Sequence, residues 1–169
     1  WRIIKYIPEE FQTKFLNDEE VIEVLKQAVI EDWEEINDIP KEFRTKFLND
    51  EEVINSLKQA VIEDWRYIND IPEEFQTKFL NDEEVIEVLK QAVVKNLGNM
   101  NRIPKEFQTK FLNDEELMKQ EVIKNGSNLK DIPKEFQTKF LNDEEFINSL
   151  ALQIKTKDDF KDLPKEFKN

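Results

Sequence analysis

Apolar residues recur along this chain with two helical spacings that alternate. Ile39, Phe43 and Phe47 follow the spacing i, i+4, i+8, which places them on one face of a short helix with Pro40 in its first turn. The segment 21–29 carries apolar residues at i, i+1, i+4, i+7 and i+8, the stripe of an amphipathic helix. The pattern therefore predicts a short helix followed by a longer one.

This two-helix pattern repeats, and the six prolines mark its period. Their spacings are 32, 32, 32, 29 and 31 residues, and each of the first five is followed by Thr-Lys-Phe-Leu and Asn-Asp-Glu-Glu. Such identity predicts one array built by duplication, which opens and closes in mid-repeat like a piece of a longer one. The array covers 1–169, with units 8–39, 40–71, 72–103, 104–132 and 133–163 and partial units 1–7 and 164–169.

Local signals predict where the helices begin and end. Asn17, with Glu20 three residues later, is predicted to cap the long helix. Aspartates two residues before a proline, such as Asp38, are predicted to cap the short helix. After the long helix, Gly126 is predicted to adopt the left-handed conformation of a C-cap, and Trp33 begins a connector of one helical turn.

Neither helix can bury its apolar stripe alone, so successive units are expected to stack. The predicted fold class is all-α, an α-solenoid of about five tandem helical repeats of roughly 32 residues. Each repeat contains a short helix, a longer helix and a connecting turn. A proline at this interval excludes one long coiled coil.

Composition favours a folded, acidic binding protein. Charged residues form 37% of the 169 residues and the mean hydropathy is −0.71, yet 38% apolar residues with 13 Phe and 3 Trp supply a core. The net charge of −13 disfavours nucleic acid, which binds clustered Lys and Arg, and fits a basic partner or simple solubility better. No apolar run approaches the roughly 20 residues that span a bilayer.

The residue types argue against catalysis. The sequence has no Cys and no His, which excludes thiol nucleophiles, imidazole acid–base chemistry and most transition-metal sites. The repeated Asp-Glu-Glu groups lie where a long helix begins, where acids satisfy free amides and the helix dipole. They lack the spacing of a calcium-binding loop. We expect no catalytic residue, no metal and no cofactor, and we predict that the protein is not an enzyme.

The sequence resembles a tandem short helical repeat family of unknown function, found in intracellular bacteria and large DNA viruses. The resemblance is carried by the segments 48–54 and 57–61, with Lys124-Asn125-Gly126 similar to the end of a family helix. The resemblance extends over the whole chain. This sequence departs from the family pattern in two features, an inserted Thr-Lys-Phe segment and an Ile-Pro pair that recurs strictly. The resemblance implies helical stacking and interaction duties.

Positions that differ between otherwise near-identical repeats are the candidates for partner binding. One zone lies on the long helix and a second in the connector; neutral drift at exposed sites is the alternative explanation. The candidates are Glu23, Asn55, Glu87 and Asn148 on the helix and Glu34, Glu35, Arg66, Tyr67 and Asn99 in the connector. A protein-binding scaffold is the first functional hypothesis, and a passive spacer or self-assembling segment of a larger protein is the second.

Two repeats depart from the others. The unit 8–39 has 11 acids and 2 bases, net −9, so a basic partner is expected to dock there. The unit 104–132 lacks three residues between Glu116 and Leu117. The long helix of this unit is predicted to be shorter than the others, and the bend of the array is predicted to change there. Leu117, Met118 and Val122 are expected to face inward still. Glu121 is expected to be turned to solvent or paired with a lysine.

Overall fold

A computed structural model describes residues 6–12, 14–15 and 17–153 of this chain. Within those ranges every regular element is helical and no strand occurs. The all-α class and the alternation of short and long helices are therefore confirmed. Thr13, Leu16, the partial unit 164–169 and most of the partial unit 1–7 lie outside the described residues.

The chain divides into two compact units, Trp1–Leu89 and Lys90–Asn169. The helices that begin in the first unit are α1 (Glu9–Gln12), α2 (Glu19–Glu31), α3 (Lys41–Arg44), α4 (Glu51–Glu63), α5 (Glu73–Phe79) and α6 (Glu83–Lys95), which contains the boundary. The helices that begin in the second unit are α7 (Lys105–Leu112), α8 (Glu115–Lys124), α9 (Lys134–Leu141) and α10 (Glu144–Gln153).

Short 3-10 helices of five or six residues connect each of the first four long helices to the next short helix. They span Trp33–Asp38, Trp65–Asn69, Leu97–Arg102 and Gly126–Lys130. The helical connector predicted from Trp33 is thus confirmed. A further 3-10 turn, Thr45–Phe47, extends α3.

The short helices begin one residue after their proline, so the prediction that Asp38 caps them is wrong. Pro40 is itself the N-cap of α3, with ψ at 145° and no side-chain cap. The residue before a proline is pushed out of the helical region, and Ile39 accordingly has ψ at 128°. Asp38 is the last residue of the preceding 3-10 turn.

The long helices are capped by the aspartate of Asn-Asp, not by the asparagine. Asp18 accepts hydrogen bonds from the amides of Glu20 and Val21 at 3.1 and 3.2 Å. The prediction of Asn17 was therefore one residue early. Asp50, Asp82 and Asp114 accept in the same way from their own first turns.

The predicted left-handed glycine at the end of α8 is also wrong. Asn125 caps this helix in an extended conformation, φ −143° and ψ 101°, and no glycine among the described residues has positive φ. The Asn125 side chain then accepts from the amide of Ser127 and starts the 3-10 turn, as Asp32 does from the amide of Glu34. One residue thus ends a helix and begins the connector.

Each unit has its own core, formed mainly by phenylalanines of the short helices and by apolar side chains of the long helices and connectors. In the first unit the fully buried side chains include Phe43, Phe47, Phe75, Phe79, Leu25, Ile36 and Leu57. In the second unit they include Phe107, Phe111, Phe140, Phe146, Met118, Val122 and Leu129. The predicted apolar stripes therefore supply the buried residues, although Val21 and Ile22 of the first long helix are only half-buried.

The shortened fourth repeat changes the composition of the core. Helix α8 has 10 residues where α4 has 13, which confirms the shorter helix, and Leu117, Met118 and Val122 are buried as predicted. Glu121 is only 1% exposed, so it is not turned to solvent, and the hydrogen bond that its carboxylate accepts comes from Asn128 and not from a lysine. Its position relative to buried Val122 is that of Ala60 to Val61, so the helix turns it inward.

Candidate functional site

A lysine on one long helix reaches the cap of the next long helix in the first unit. The Nζ of Lys26 lies 3.1 Å from the carboxylate of Asp50 and 2.5 Å from that of Glu52. Lys58 pairs in the same way with Asp82, at 2.9 Å, and with Glu84. Each ammonium therefore joins a carboxylate that already holds two backbone amides of the helix it caps.

The second unit repeats this lysine–cap contact. Lys90 pairs with Asp114, and Lys119 lies 2.7 Å from Asp143. All four pairs join residues 24 positions apart in sequence, including the pair that begins on shortened α8. The deletion lies on the N-terminal side of Lys119, so it leaves the segment from Lys119 to the next cap at full length.

These contacts hold the cap carboxylates ionised. Burial raises the pKa of Asp50, but hydrogen bonds from the Val53 amide and from Lys26 outweigh it and leave that pKa below its ordinary 3.8. For Asp143 the hydrogen bond from Lys119 is the largest cause of a lowered pKa. The lysines respond oppositely, and the pKa of Lys26 is raised by Glu52 and Asp50.

The ends of the long helices also receive donors from the following repeat. Ser56 Oγ donates to the Val29 carbonyl at 3.0 Å, and Lys124 Nζ donates to the Val94 carbonyl. Both carbonyls belong to the last turn of their helix, where intrahelical donors are missing. Polar contacts thus link successive long helices at both ends within each unit.

An open acidic cleft lies beside the first connector. It has a volume of about 510 Å³ and is lined by Asp32, Trp33, Glu34, Glu35, Asn37, Asp38 and Asp70. Five of these seven side chains are carboxylates, and the ring of Trp33 contacts that of Tyr67, with their centroids 4.9 Å apart. The cleft belongs to the repeat with the largest negative charge.

The equivalent place in the second repeat contains its own cation. Asp64 corresponds to Asp32 in sequence and conformation, and the guanidinium of Arg66 lies against its carboxylate with Nε at 2.9 and 3.0 Å. The first repeat has Glu34 at the position of Arg66. Where the second repeat has the cation of Arg66 beside its aspartate, the first repeat therefore has the further carboxylate of Glu34.

The candidate binding residues fall into surface and supporting positions. On the long helices, Glu23, Asn55, Glu87 and Asn148 are exposed, and Asn148 lines a second depression in the other unit. In the connectors, Glu34 and Arg66 are exposed and Tyr67 is half-buried against Trp33. The two groups lie on different elements, the long helices and the connectors.

Two of the candidates in the connectors are not free surface positions, since Glu35 is buried and Asn99 is hydrogen-bonded to a helix end. Glu35 lines the cleft but is only 8% exposed. Asn99 is half-buried and donates through Nδ2 to the Ala92 carbonyl at 2.7 Å, at the end of α6. Asn128, at the same position of the next repeat, donates to the Glu121 carbonyl and to its carboxylate at 3.3 Å.

The described residues contain no group of three or more acidic side chains placed to hold a metal ion. Within the same residues, no helix has the length and apolar character needed to cross a membrane. Comparison with protein-family models, curated proteins and solved structures finds no match to this chain.

The lysine–cap pairs were not among the sequence-based candidates, and of the residues that line the cleft only Glu34 and Glu35 were. The signal for the pairs was present, because a lysine precedes the aspartate of the next Asn-Asp by 24 residues four times in succession. Asp32 and Asp70 of the cleft are 38 residues apart, and only the packing of two connectors brings them to one depression.

Proposed function

We propose that this chain is a non-enzymatic protein-binding module, an α-solenoid of five repeats whose acidic first repeat holds a basic segment of another protein. The observation that carries the proposal is the cleft of five carboxylates beside Trp33. The net charge of −9 on the unit 8–39 would attract such a segment and speed its association.

An arginine side chain matches the chemistry of this cleft. A planar guanidinium binds carboxylates with two parallel hydrogen bonds and stacks on aromatic rings. Arg66 makes the first of these contacts with Asp64 inside the second repeat. A partner arginine would make the same contact with Asp32 and lie near the Trp33 ring.

The proposal is tested by calorimetric titration of the full chain with the blocked peptide (Gly-Arg)₅. We expect binding that weakens as salt is added, because exposed charges are screened over about 10 Å at 0.1 M salt. The substitution Glu34→Arg supplies the second repeat's cation to the first, and we expect it to weaken binding at least about fivefold. A (Gly-Gln)₅ peptide should not bind.

Glu23→Arg is the matched control, since it makes the same change of charge on the outer face of α2. Equal losses from Glu34→Arg and Glu23→Arg would indicate attraction by net charge without a defined cleft. An absence of binding by the arginine peptide at low salt would contradict the proposal and favour a passive spacer.

A further inference from the structure

A carboxyl group lies in the core of the shortened fourth repeat, where earlier repeats have an alanine. Glu121 is 1% exposed, and it precedes a core valine as Ala60 and Ala92 do. Its Oε2 accepts a hydrogen bond from Asn128 Nδ2 at 3.3 Å, and its Oε1 is buried with no donor among the described residues. Burial with so few donors disfavours the charged carboxylate far more than the neutral acid.

The same asparagine fastens the following connector, Gly126–Lys130, to the end of α8. Asn128 Nδ2 donates to the backbone carbonyl of Glu121 at 3.3 Å as well as to its carboxylate. In the preceding repeat, Asn99 donates to the Ala92 carbonyl at 2.7 Å, and the alanine side chain offers no second acceptor. In the fourth repeat the asparagine is therefore shared between two longer bonds, and one of them depends on the state of the Glu121 carboxyl group.

The connector covers part of the core of the second unit. Leu129 lies in it and is fully buried. The amide of Asn125 donates to the Glu121 carbonyl at 3.1 Å, and the amide of Asn128 donates to the Asn125 carbonyl at 2.9 Å. Release of the connector would therefore expose Leu129 to water and free these two amides.

The charges around Glu121 do not offset its burial. Lys124, one turn further along α8, favours the carboxylate, but burial outweighs it and raises the pKa of Glu121 above 4.5. The elements that contact α8 are α6, α7, α9, α10 and the connector. Of the charged side chains on and between them, three are held in ion pairs and the others are exposed. The pairs are Lys90 with Asp114, Lys119 with Asp143, and Lys139 with Glu115.

We propose that Glu121 is a pH-sensitive latch. With its carboxyl group protonated, Glu121 and Asn128 hold the connector against α8. Ionisation drives the carboxylate toward water, which releases the connector and exposes Leu129. The sequence contains no histidine, the side chain that ordinarily titrates between pH 5 and 8, so a buried carboxyl group supplies the response in that range. The latch lies in the fourth repeat and does not depend on the binding proposed for the first.

The test is amide hydrogen exchange of the full chain between pH 4.5 and 7.5, where the cap aspartates stay ionised. Each rate, divided by that of an unstructured peptide at the same pH, gives the equilibrium constant for opening. The closed state binds the Glu121 proton more tightly, so opening should increase above pH 4.5 by at most about tenfold per pH unit and level off above the folded pKa. We expect a rise of at least about threefold at the amides of Asn125 and Asn128.

The connector Leu97–Arg102 is the matched control, because Ala92 stands there at the position of Glu121. The amides of Asn96 and Asn99 make the corresponding hydrogen bonds, to the carbonyls of Ala92 and Asn96. Their opening constants should not change with pH. Glu121→Gln and Glu121→Ala should both abolish the rise in the Gly126–Lys130 connector, and the alanine variant restores the residue of the earlier repeats.

Three results would overturn the latch. The first is an opening constant of the Gly126–Lys130 connector that does not change with pH in the wild type. The second is a rise that survives Glu121→Gln. The third is an equal rise in both connectors, which would mean that the whole unit unfolds and that the connector does not open by itself.

Discussion

The ammonium of Lys26 on α2 lies 3.1 Å from the carboxylate of Asp50, the residue that caps α4. One carboxylate thereby serves two purposes, since it begins a helix and joins that helix to the one before it. The same contact recurs for Lys58, Lys90 and Lys119. Substitutions at one cap aspartate can therefore test capping and helix–helix pairing together.

The two purposes are separable at Asp50. Asp50→Asn keeps an oxygen for the amides of Glu52 and Val53 but removes the charge that faces Lys26, whereas Asp50→Ala removes both. We expect the alanine variant to be less stable than the asparagine variant by about 1 kcal/mol, the usual contribution of a cap. Urea unfolding measures the difference. The small deficit of Asp50→Asn against the wild type should vanish in roughly 1 M salt, and a deficit that persists would mean that charge is not its cause.

Low pH should destabilise the folded chain because it protonates the aspartates that cap the long helices. The folded-state pKa values of Asp50, Asp82, Asp114 and Asp143 are lowered from 3.8, so their contribution is complete above that value and is lost as the pH falls through the folded values. Unfolding free energy measured between pH 7 and pH 2 should therefore fall mainly below pH 4.

The cause of one of these shifts can be assigned directly. Because Lys119 is the largest cause of the low pKa of Asp143, Lys119→Met should raise that pKa toward 3.8 in a carboxyl titration by nuclear magnetic resonance. Lys139→Met removes a lysine that pairs with Glu115 instead and is the control. Equal shifts in both variants would contradict the assignment.

Glu121 should destabilise the second unit at neutral pH. Its burial raises its pKa above 4.5, and one carboxylate oxygen, Oε1, is buried without a hydrogen bond. A raised folded pKa gives stability that is complete below 4.5 and is lost as the pH rises through the folded value. Glu121→Gln should therefore raise the free energy of unfolding by roughly 1–3 kcal/mol at pH 7.

The gain from Glu121→Gln should shrink toward zero below pH 4.5, where the glutamate is protonated in both states. Urea unfolding at several pH values measures it. Glu106→Gln, at an exposed position of α7, is the control and should show no such trend. A Glu121→Gln variant that is less stable than the wild type at pH 7 would refute the explanation.

Ser56 and Ser149 occupy the same position of α4 and α10 but donate differently. Ser56 donates to the Val29 carbonyl of the previous long helix, and Ser149 donates to the Glu145 carbonyl of its own helix. Ser56→Ala should cost about 1 kcal/mol more than Ser149→Ala, since it leaves a carbonyl at a helix end without its donor. Thermal or urea unfolding of the two variants measures the difference, and equal effects would show that the contact between helices contributes nothing.

The sequence by itself determined the features that local physics controls. Apolar spacing identified the short and long helices, the buried stripe and the helical connector at Trp33 because side-chain direction follows from helical geometry alone. It also located the beginning of each long helix to within one residue. Asn17 and Asp18 are both good caps, and only the backbone conformation selected Asp18.

Only the tertiary structure decided which charges meet and which are buried. Lys26 and Asp50 are 24 residues apart and Asp32 and Asp70 are 38 apart, and no local rule pairs residues at such separations. Glu121 is a second case in which local sequence did not predict the environment of a charged side chain. Local chemistry predicts that a carboxylate turns to water, but buried Val122 beside it and Leu117 one turn earlier hold the helix in a register that turns it inward, because apolar burial of the whole stripe outweighs one unfavourable acid.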